Sequence, residues 1–161
     1  GVGHFDYAMQ SLNNSGLLNK LEDMVIKQKT PILGICVGMQ MLADSSEEGT
    51  LKGLGWLPGS VKSLESQFKD DIPPLPHMGW NELKVQKDNS LFSSAESEAP
   101  QFYFLHSFYF CSEGPSEVIA TTSYGFDFDS VASNGNVFGM QCHPEKSHSW
   151  GQDFLQKFSK I

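Results

Sequence analysis

The sequence is short of basic residues and of long apolar runs. It has 11 Lys and Arg residues against 19 Asp and Glu residues, a formal net charge of -8. Because nucleic-acid binding depends on clustered Lys and Arg, this balance argues against a nucleic-acid partner. No apolar run approaches the roughly 20 residues that cross a bilayer, and no basic and apolar leader precedes the first helical pattern. We therefore expect a cytoplasmic protein that has no membrane partner.

Cysteine is also scarce, with three copies at Cys36, Cys111 and Cys142. The number is odd and no CxxC pair is present, which argues against both a disulfide framework and a zinc site. We expect reduced thiols, no metal and no cofactor.

The apolar residues that are present predict one α/β domain. The chain has 161 residues, of which 39% are hydrophobic, enough for one sizeable core. Apolar spacing predicts helices at 4–13, 17–27, 37–43 and 150–158, and a buried strand at 31–35. Short β-rich segments predict further strands at 57–64, 81–85, 102–110, 118–122, 128–132 and 137–141. Helices around an early strand, followed by many strands, predict a mixed sheet.

The most informative short segment is G-x-C-x-G at residues 34–38, between a predicted strand and a predicted helix. This is the layout of a nucleophile elbow, in which glycines permit a tight turn that lifts Cys36 above the sheet. Amides at the helix N-terminus would favour the reactive thiolate. The alternative is that Cys36 is a small buried apolar residue, and the segment alone does not separate these interpretations.

A second segment, QCHPEKS at residues 141–147, favours the catalytic interpretation. We expect the preceding strand to deliver His143 and Glu145, two positions apart, to one face, where the carboxylate fixes the imidazole tautomer. A His-Pro-Glu sequence alone is more often a turn. Together with the cysteine elbow, it supplies a nucleophile, a base and an orienting group.

The segments GICVGMQ and HPEK together resemble class I glutamine amidotransferases. Three more, PHMGWNEL, FYFLHSFYF and the opening GVG, look like the glutaminase subunits of imidazole glycerol phosphate synthases, which serve histidine biosynthesis. The resemblance covers nearly the whole chain, and the paired motifs are far more specific than an isolated G-x-C-x-G. It implies a flavodoxin-like mixed sheet flanked by helices.

The resemblance assigns catalytic roles to five residues. Cys36 would attack the carboxamide of L-glutamine, His143 would move the proton to the departing ammonia, and Glu145 would orient His143. Water would then hydrolyse the thioester to release glutamate. The amides of Gly3 and Val37 would stabilise the oxyanion, because such intermediates need preorganised donors.

The resemblance also assigns the glutamine pocket. Gln40 and Glu48 would bind the α-amino and carboxylate ends of glutamine, and the backbone of Ser107 and Phe108 would close the pocket. Composition alone would place Glu48 in a solvated acidic loop.

A partner follows from the chemistry of ammonia, which is largely protonated in neutral water and must reach its acceptor through a dry passage. The resemblance implies a heterodimer with a synthase (cyclase) subunit of barrel type. The residues expected to face it are Met78, Trp80, Asn81, Tyr103 and Lys146. The alternative is that Met78 and Trp80 lie in the core.

The same resemblance bears on the domain boundaries. Relatives carry a first strand, a helix and a second strand before the loop that matches GVG. We therefore expect a glutamine amidotransferase domain over residues 1–161 that is incomplete at its N-terminus.

Three other functions remain open from the sequence. A second branch of the family supplies ammonia to amidate a nucleotide sugar for surface polysaccharide, and HPEKSHSWG and GLGWL look at least as much like that branch. The chain could be a noncatalytic binding subunit that keeps the fold. A cysteine ester hydrolase would share the elbow, but PHMGWN lends it no support.

Overall fold

The computed structural model describes residues 1–92, 98–115 and 117–161. Within these ranges the α-helices are α1 (Phe5–Asn14), α2 (Leu18–Glu22), α3 (Val37–Leu42) and α4 (His148–Phe158). The strands are β1 (Ile32–Ile35), β2 (Ser45–Ser46), β3 (Gly59–Ser63), β4 (His77–Glu82), β5 (Lys84–Val85), β6 (Gln101–His106), β7 (Phe108–Ser112), β8 (Val118–Ser123), β9 (Asp127–Asn134) and β10 (Val137–Met140).

The largest sheet has the strand order β1-β10-β9-β8-β5. β1 pairs parallel with β10, and the other neighbours in this sheet are antiparallel. A second sheet has the order β2-β3-β7, and β4 pairs with β6 in a third. The predicted α/β fold with a mixed sheet is confirmed. Since β1 and β10 run in the same direction, the residues that follow them lie at one edge of the sheet.

Three predicted elements differ from those observed. The helix predicted at 17–27 is α2 followed by a π-helical turn at Asp23–Lys27. The strand predicted at 102–110 is two strands, β6 and β7, which belong to different sheets and are separated by Ser107. A continuous apolar run carries no signal for that break, because both strands bury side chains. The strand predicted at 81–85 begins earlier, at His77, and is divided at the buried Leu83.

Two apolar clusters hold the elements together. One contains the buried aromatic residues around β6, β9 and α4, namely Phe92, Phe102, Phe104, Tyr109, Phe128, Phe138 and Phe154. The other lies against α3 and includes Val25, Met39, Leu42, Leu57 and Phe110. Within the described residues, no helix has the length and apolar character required to cross a bilayer.

Candidate active site

A pocket of about 190 Å³ opens beside the carboxyl end of β1. Its lining contains all of the residues predicted for the nucleophile, the oxyanion donors and the glutamine pocket, namely Gly3, Cys36, Val37, Gln40, Glu48, Ser107 and Phe108. Val2, Pro76, Leu105 and His106 complete it. The structure thus brings together residues from the start of the chain, the elbow, the loop after β2 and the junction between β6 and β7.

Cys36 occupies a sharp turn between β1 and α3. Its backbone has φ 53° and ψ -112°, a conformation that non-glycine residues rarely adopt. Its amide donates to the Met140 carbonyl at 2.8 Å, which ties the turn to β10. A Cβ at Gly34 would lie 2.6 Å from the Gly38 carbonyl oxygen, so only glycine permits α3 to start this close to β1. The predicted elbow is therefore present, and the strain at Cys36 marks a functional position.

The Cys36 thiol is buried, with 4% of the residue exposed. Sγ lies 3.7 Å from the Leu105 carbonyl oxygen and accepts a hydrogen bond from Gln141 Nε2 at 3.6 Å. Burial raises the pKa of this thiol, and hydrogen bonds from the Val37 amide and Gln141 oppose the rise only in part. The thiol is therefore protonated at neutral pH, and attack by its sulfur requires a base.

His143 has the geometry of such a base. Its Nδ1 lies 2.6 Å from Glu145 Oε1, and its amide donates to the Tyr103 carbonyl at 2.8 Å. Partial burial disfavours the Glu145 charge, but the hydrogen bond from His143 keeps the pKa of Glu145 below its ordinary value. Because the carboxylate accepts the Nδ1 proton, the neutral ring carries its lone pair on Nε2. Nε2 is buried and has no hydrogen-bond partner.

The route by which Glu145 reaches His143 differs from the predicted one. β10 ends at Met140, and Pro144–Lys146 forms a 3-10 turn that begins directly after His143. The turn, rather than an extended strand, brings the two side chains together. The expectation that a strand presents both residues on one face was wrong, because Pro144 starts a new turn.

Cys36 and His143 follow the paired parallel strands β1 and β10, so both lie at the same sheet edge. Their hydrogen bond is not formed: the thiol faces the Leu105 carbonyl, and Nε2 of His143 has no partner. Direct proton transfer between them remains a prediction that requires the thiol to turn from the Leu105 carbonyl towards His143.

Gln40 and Glu48 both line the pocket. Gln40 is buried, and its Nε2 donates to the Phe108 carbonyl at 2.9 Å and to Gln141 Oε1 at 3.2 Å. With its N–H groups used internally, Gln40 can offer Oε1 to a molecule in the pocket. Glu48 Oε2 accepts from the Phe5 amide at 2.7 Å, which fixes the carboxylate against the start of α1.

The two predicted oxyanion donors differ in their availability. The Val37 amide donates to the Gly1 carbonyl at 3.3 Å, so this carbonyl must move before Val37 can bind an oxyanion. Gly3 has φ 153°, in the region that favours glycine, and no heavy atom lies within 4 Å of the position of its absent Cβ. The loop around Gly3 therefore has space to turn.

Of the residues predicted to face a partner, Met78, Trp80 and Tyr103 lie on one side of β4 and β6, and Lys146 lies in the 3-10 turn after His143. Met78 is 63% exposed and Trp80 is 47% exposed, so the alternative that both belong to the core is wrong. Trp80 packs edge-on against Tyr103, and Lys146 Nζ lies 5.8 Å from the centre of the Tyr103 ring. Asn81 differs, since its Nδ2 donates inward to the Ser123 carbonyl at 2.9 Å and contacts His77 Nε2 at 3.2 Å.

Besides Val2 and Pro76, which line the pocket, four residues in or beside this site were not predicted. Gln141 and Leu105 contact the Cys36 sulfur, His106 lines the pocket, and His148 stacks on Trp80 at 5.3 Å. For Gln141 the sequence carries one indication of a functional role, which is a polar side chain at the end of an apolar strand. Leu105 acts through its carbonyl, which no sequence pattern reveals. In the described part of the chain, no group of three or more His, Cys, Asp or Glu residues is placed to hold a metal ion.

Residues 9–160 match the family described as Glutamine amidotransferase class-I. The chain is 50% identical over 166 residues to the imidazole glycerol phosphate synthase subunit HisH of Bdellovibrio bacteriovorus, with 100% of this chain and 78% of the relative covered. It is 45% identical over 161 residues to HisH of Leptospira interrogans, at the same coverage of 100% and 78%. A solved glutamine amidotransferase from Thermotoga maritima has a TM-score of 0.59 at 18% identity, over 99% of this chain and 59% of that chain. At that identity the structural similarity concerns the fold.

Proposed function

The chain belongs to the class I glutamine amidotransferase family, and we propose that it is the glutaminase subunit of an imidazole glycerol phosphate synthase. The relatives that carry this subunit name are 50% and 45% identical to the chain over its whole length. The observation that carries the proposal is that the cysteine elbow opens into the same pocket as Gln40 and Glu48. His143 and Glu145 do not line this pocket, but Glu145, which is hydrogen-bonded to His143, lies close enough to Cys36 for its charge to raise the pKa of the thiol.

The first chemical step is nucleophilic attack by Cys36 on the carboxamide carbon of glutamine. The thiol proton passes to Nε2 of His143 as the sulfur–carbon bond forms, and Glu145 stabilises the resulting imidazolium. His143 then returns the proton to the nitrogen, the carbon–nitrogen bond breaks and ammonia leaves. Water hydrolyses the thioester with His143 as the base, which releases glutamate and restores the thiol.

The tetrahedral intermediate carries a negative oxygen that needs donors. The Val37 amide follows the nucleophile directly, and the Gly3 amide lies on the neighbouring loop. Since Val37 donates to the Gly1 carbonyl, we propose that a movement of the first residues frees this donor. One donor of this kind is worth roughly a hundredfold or more in rate, so the movement can limit turnover until a partner is bound.

The partner is a synthase (cyclase) subunit of barrel type that receives ammonia without exposing it to water. The exposed face of Met78, Trp80, Tyr103 and Lys146 supports this, because aromatic residues and Met are enriched at interfaces. Met78 and Trp80 lie on β4, and Tyr103 lies on β6, which also carries the Leu105 carbonyl. Lys146 follows β10, as does His143, which pairs with Tyr103. The face is therefore continuous with the site that releases ammonia, and we infer a cytoplasmic heterodimer.

Glutamate release from glutamine tests this function. The natural polypeptide that contains this chain is mixed with the cyclase subunit of an imidazole glycerol phosphate synthase from the same organism, with and without its acceptor substrate. We expect the complete mixture to release glutamate, and Cys36→Ala to lose at least a hundredfold in turnover. Cys111→Ala, a cysteine outside the pocket, is the matched control and keeps its activity.

Two results would contradict the proposal in different ways. Unchanged glutamate release by Cys36→Ala would contradict the assigned nucleophile. Stimulation by the synthase of a nucleotide-sugar pathway, and not by the cyclase subunit, would contradict the assigned acceptor while leaving the glutaminase chemistry intact.

A further inference from the structure

Two buried histidines outside the proposed triad form a pair between β4 and β6. His77 and His106 are directly opposite each other in the antiparallel register, and both are almost fully buried. His77 Nδ1 lies 3.0 Å from His106 Nε2. The His77 ring is stacked between Phe104, at 4.7 Å, and Tyr124, at 4.0 Å. Aromatic packing of this kind holds the rings in one orientation.

The hydrogen-bond partners at the two ends of the pair determine which nitrogen carries each proton. His106 Nδ1 lies 2.9 Å from the Phe108 carbonyl oxygen, which can only accept, so Nδ1 carries the His106 proton. Nε2 of neutral His106 then accepts, which requires His77 to donate from Nδ1. His77 Nε2 is left as an acceptor, and Asn81 Nδ2, which can only donate, lies 3.2 Å away.

This chain of donors and acceptors continues into the glutamine pocket. The Phe108 carbonyl that accepts from His106 also accepts from Gln40 Nε2 at 2.9 Å. Gln40 donates in turn to Gln141 Oε1, and Gln141 Nε2 donates to the Cys36 sulfur at 3.6 Å. One connected path therefore runs from Asn81, beside the exposed Trp80, to the proposed nucleophile.

We propose that His77 and His106 are positioning residues for glutamine binding, which hold the Phe108 carbonyl and the Gln40 side chain in place through hydrogen bonds of fixed direction. This inference rests on the proposed function. Because the network uses both N–H groups of Gln40, the oxygen Oε1 faces the pocket as an acceptor for a substrate donor.

The network requires both rings to be neutral. A second proton on His106 would set two donors against each other across the 3.0 Å contact with His77. Burial, with a smaller effect of His77 and His143 beside it, lowers the pKa of His106 to about 3. Burial alone lowers the pKa of His77 to about 4. Both rings are thus neutral wherever a glutaminase works near pH 7.

The test compares three variants in complex with the cyclase subunit. His77→Phe keeps an aromatic ring but removes both hydrogen bonds of the imidazole. We expect the KM for glutamine to rise about tenfold, because one or two hydrogen bonds are lost, and kcat to change less than threefold. In His77→Asn the amide nitrogen can replace Nδ1 as a donor, so we expect a KM for glutamine close to that of the wild type. Phe104→Leu is the matched control, because it removes packing against His77 without touching the network.

Nitrogen NMR of the histidine-labelled wild type gives a readout that does not depend on turnover. We expect both imidazoles to be neutral and protonated on Nδ1 from pH 7 down to pH 5. Protonation of either ring on Nε2 at pH 7 would overturn the inference, as would equal KM values for His77→Phe and Phe104→Leu. If the wild type hydrolyses no glutamine, the proposed function fails, whereas the NMR result still decides whether the network has the stated direction.

Discussion

At the residue scale, the chemistry depends on the proton of Cys36. The thiol is buried against the Leu105 carbonyl and its pKa is raised, so its resting form is the unreactive one. In the proposed mechanism the base is Nε2 of His143, which is buried without a hydrogen-bond partner. Such an arrangement limits reaction of the thiol with other electrophiles, because the thiolate forms only when the base is engaged.

The raised pKa predicts the pH dependence of alkylation. A thiol with a raised pKa has less thiolate at a given pH. The rate at which iodoacetamide modifies Cys36 should therefore reach half of its maximum at a higher pH than the rate for free cysteine. The rate at each pH is measured by mass spectrometry of the Cys36 peptide, with the partly exposed Cys111 as the internal reference. Faster modification of Cys36 than of Cys111 at pH 7 would show that the thiolate already dominates at rest.

Glu145 is the residue whose charge should matter most for the base. In Glu145→Gln the acceptor for the Nδ1 proton is weakened and the imidazolium loses its counter-charge, so we predict a loss of about 10² to 10⁴ in kcat. Glu47→Gln is the control, since Glu47 accepts from the Ser63 amide away from the pocket lining. The measurement is glutamate release at saturating glutamine, and equal turnover by the two variants would refute the role of Glu145.

The sequence predicts residues of this site where one short segment holds the chemical information. Cys36, His143 and Glu145 follow from two such segments, and the pocket residues follow from the family resemblance. Gln141, Leu105 and the His77 and His106 pair depend on contacts between strands that are distant in the chain. Their roles come from backbone carbonyls and from tautomers, which depend on the partners that the fold supplies.

At the element scale, the elbow depends on how closely α3 approaches β1. Gly34→Ala would place a Cβ 2.6 Å from the Gly38 carbonyl oxygen and 2.7 Å from the Met39 amide nitrogen. Since both neighbours are backbone atoms, the helix has to move. We predict a drop of several degrees in the melting temperature and a loss of glutaminase turnover that exceeds the loss of folded protein, because the movement displaces Cys36.

Gly38→Ala is the matched control for that prediction. No heavy atom lies within 4 Å of the Cβ position at Gly38, which is inside α3. Alanine favours the helix by up to about 1 kcal/mol over glycine, so stability should be unchanged or higher. Calorimetry of both variants measures the difference. A melting temperature of Gly34→Ala equal to that of Gly38→Ala would contradict the close approach.

Elements were predictable where a local pattern begins or ends sharply. β1 and α3 match their predictions closely, since glycines and a polar loop bound them. The break at Ser107 between β6 and β7 has no such boundary, yet it creates the pocket wall. Glu145 lies in a 3-10 turn that begins at Pro144, directly after His143, and not in the predicted extended segment.

At the scale of the whole molecule, the buried histidines couple stability to pH. In the folded state the pKa of His106 is about 3 and that of His77 about 4, both below the ordinary value of 6.5. The unfolded chain therefore binds more protons below pH 6.5, and the free energy of unfolding falls as pH drops from 6.5 towards 4. Each histidine that stays neutral in the folded protein lowers the free energy of unfolding by about 1.4 kcal/mol for every pH unit in this window.

This gives a prediction for chemical denaturation. The free energy of unfolding should fall by about 4 kcal/mol between pH 7 and pH 5, about 2 kcal/mol for each of the two histidines that remain neutral in the folded protein. His77→Phe should fall less over the same range, because one of the two histidines is gone. A wild type whose stability is constant from pH 7 to pH 5 would show that these rings take up protons in the folded state.

The two sides of β4 and β6 have different proposed roles. Their inner residues, His77 and His106, connect to the pocket, and their outer residues, Met78, Trp80 and Tyr103, form the exposed face proposed for the synthase. A movement of these strands on partner binding would reach the Leu105 carbonyl and the Phe108 carbonyl together. Under the proposed function, these two strands would connect the partner face with the site of glutamine hydrolysis.

The central claim is that Cys36 attacks glutamine in this pocket, and a glutamine analogue with a diazoketone group tests it most directly. The polypeptide in complex with the cyclase subunit is treated with increasing amounts of the analogue, and adducts are located by mass spectrometry while glutamate release is measured. We expect one adduct, on Cys36, and a loss of glutamate release in proportion to it, and excess glutamine should slow both. An adduct on Cys111 or Cys142, or a loss of activity without modification of Cys36, would contradict it.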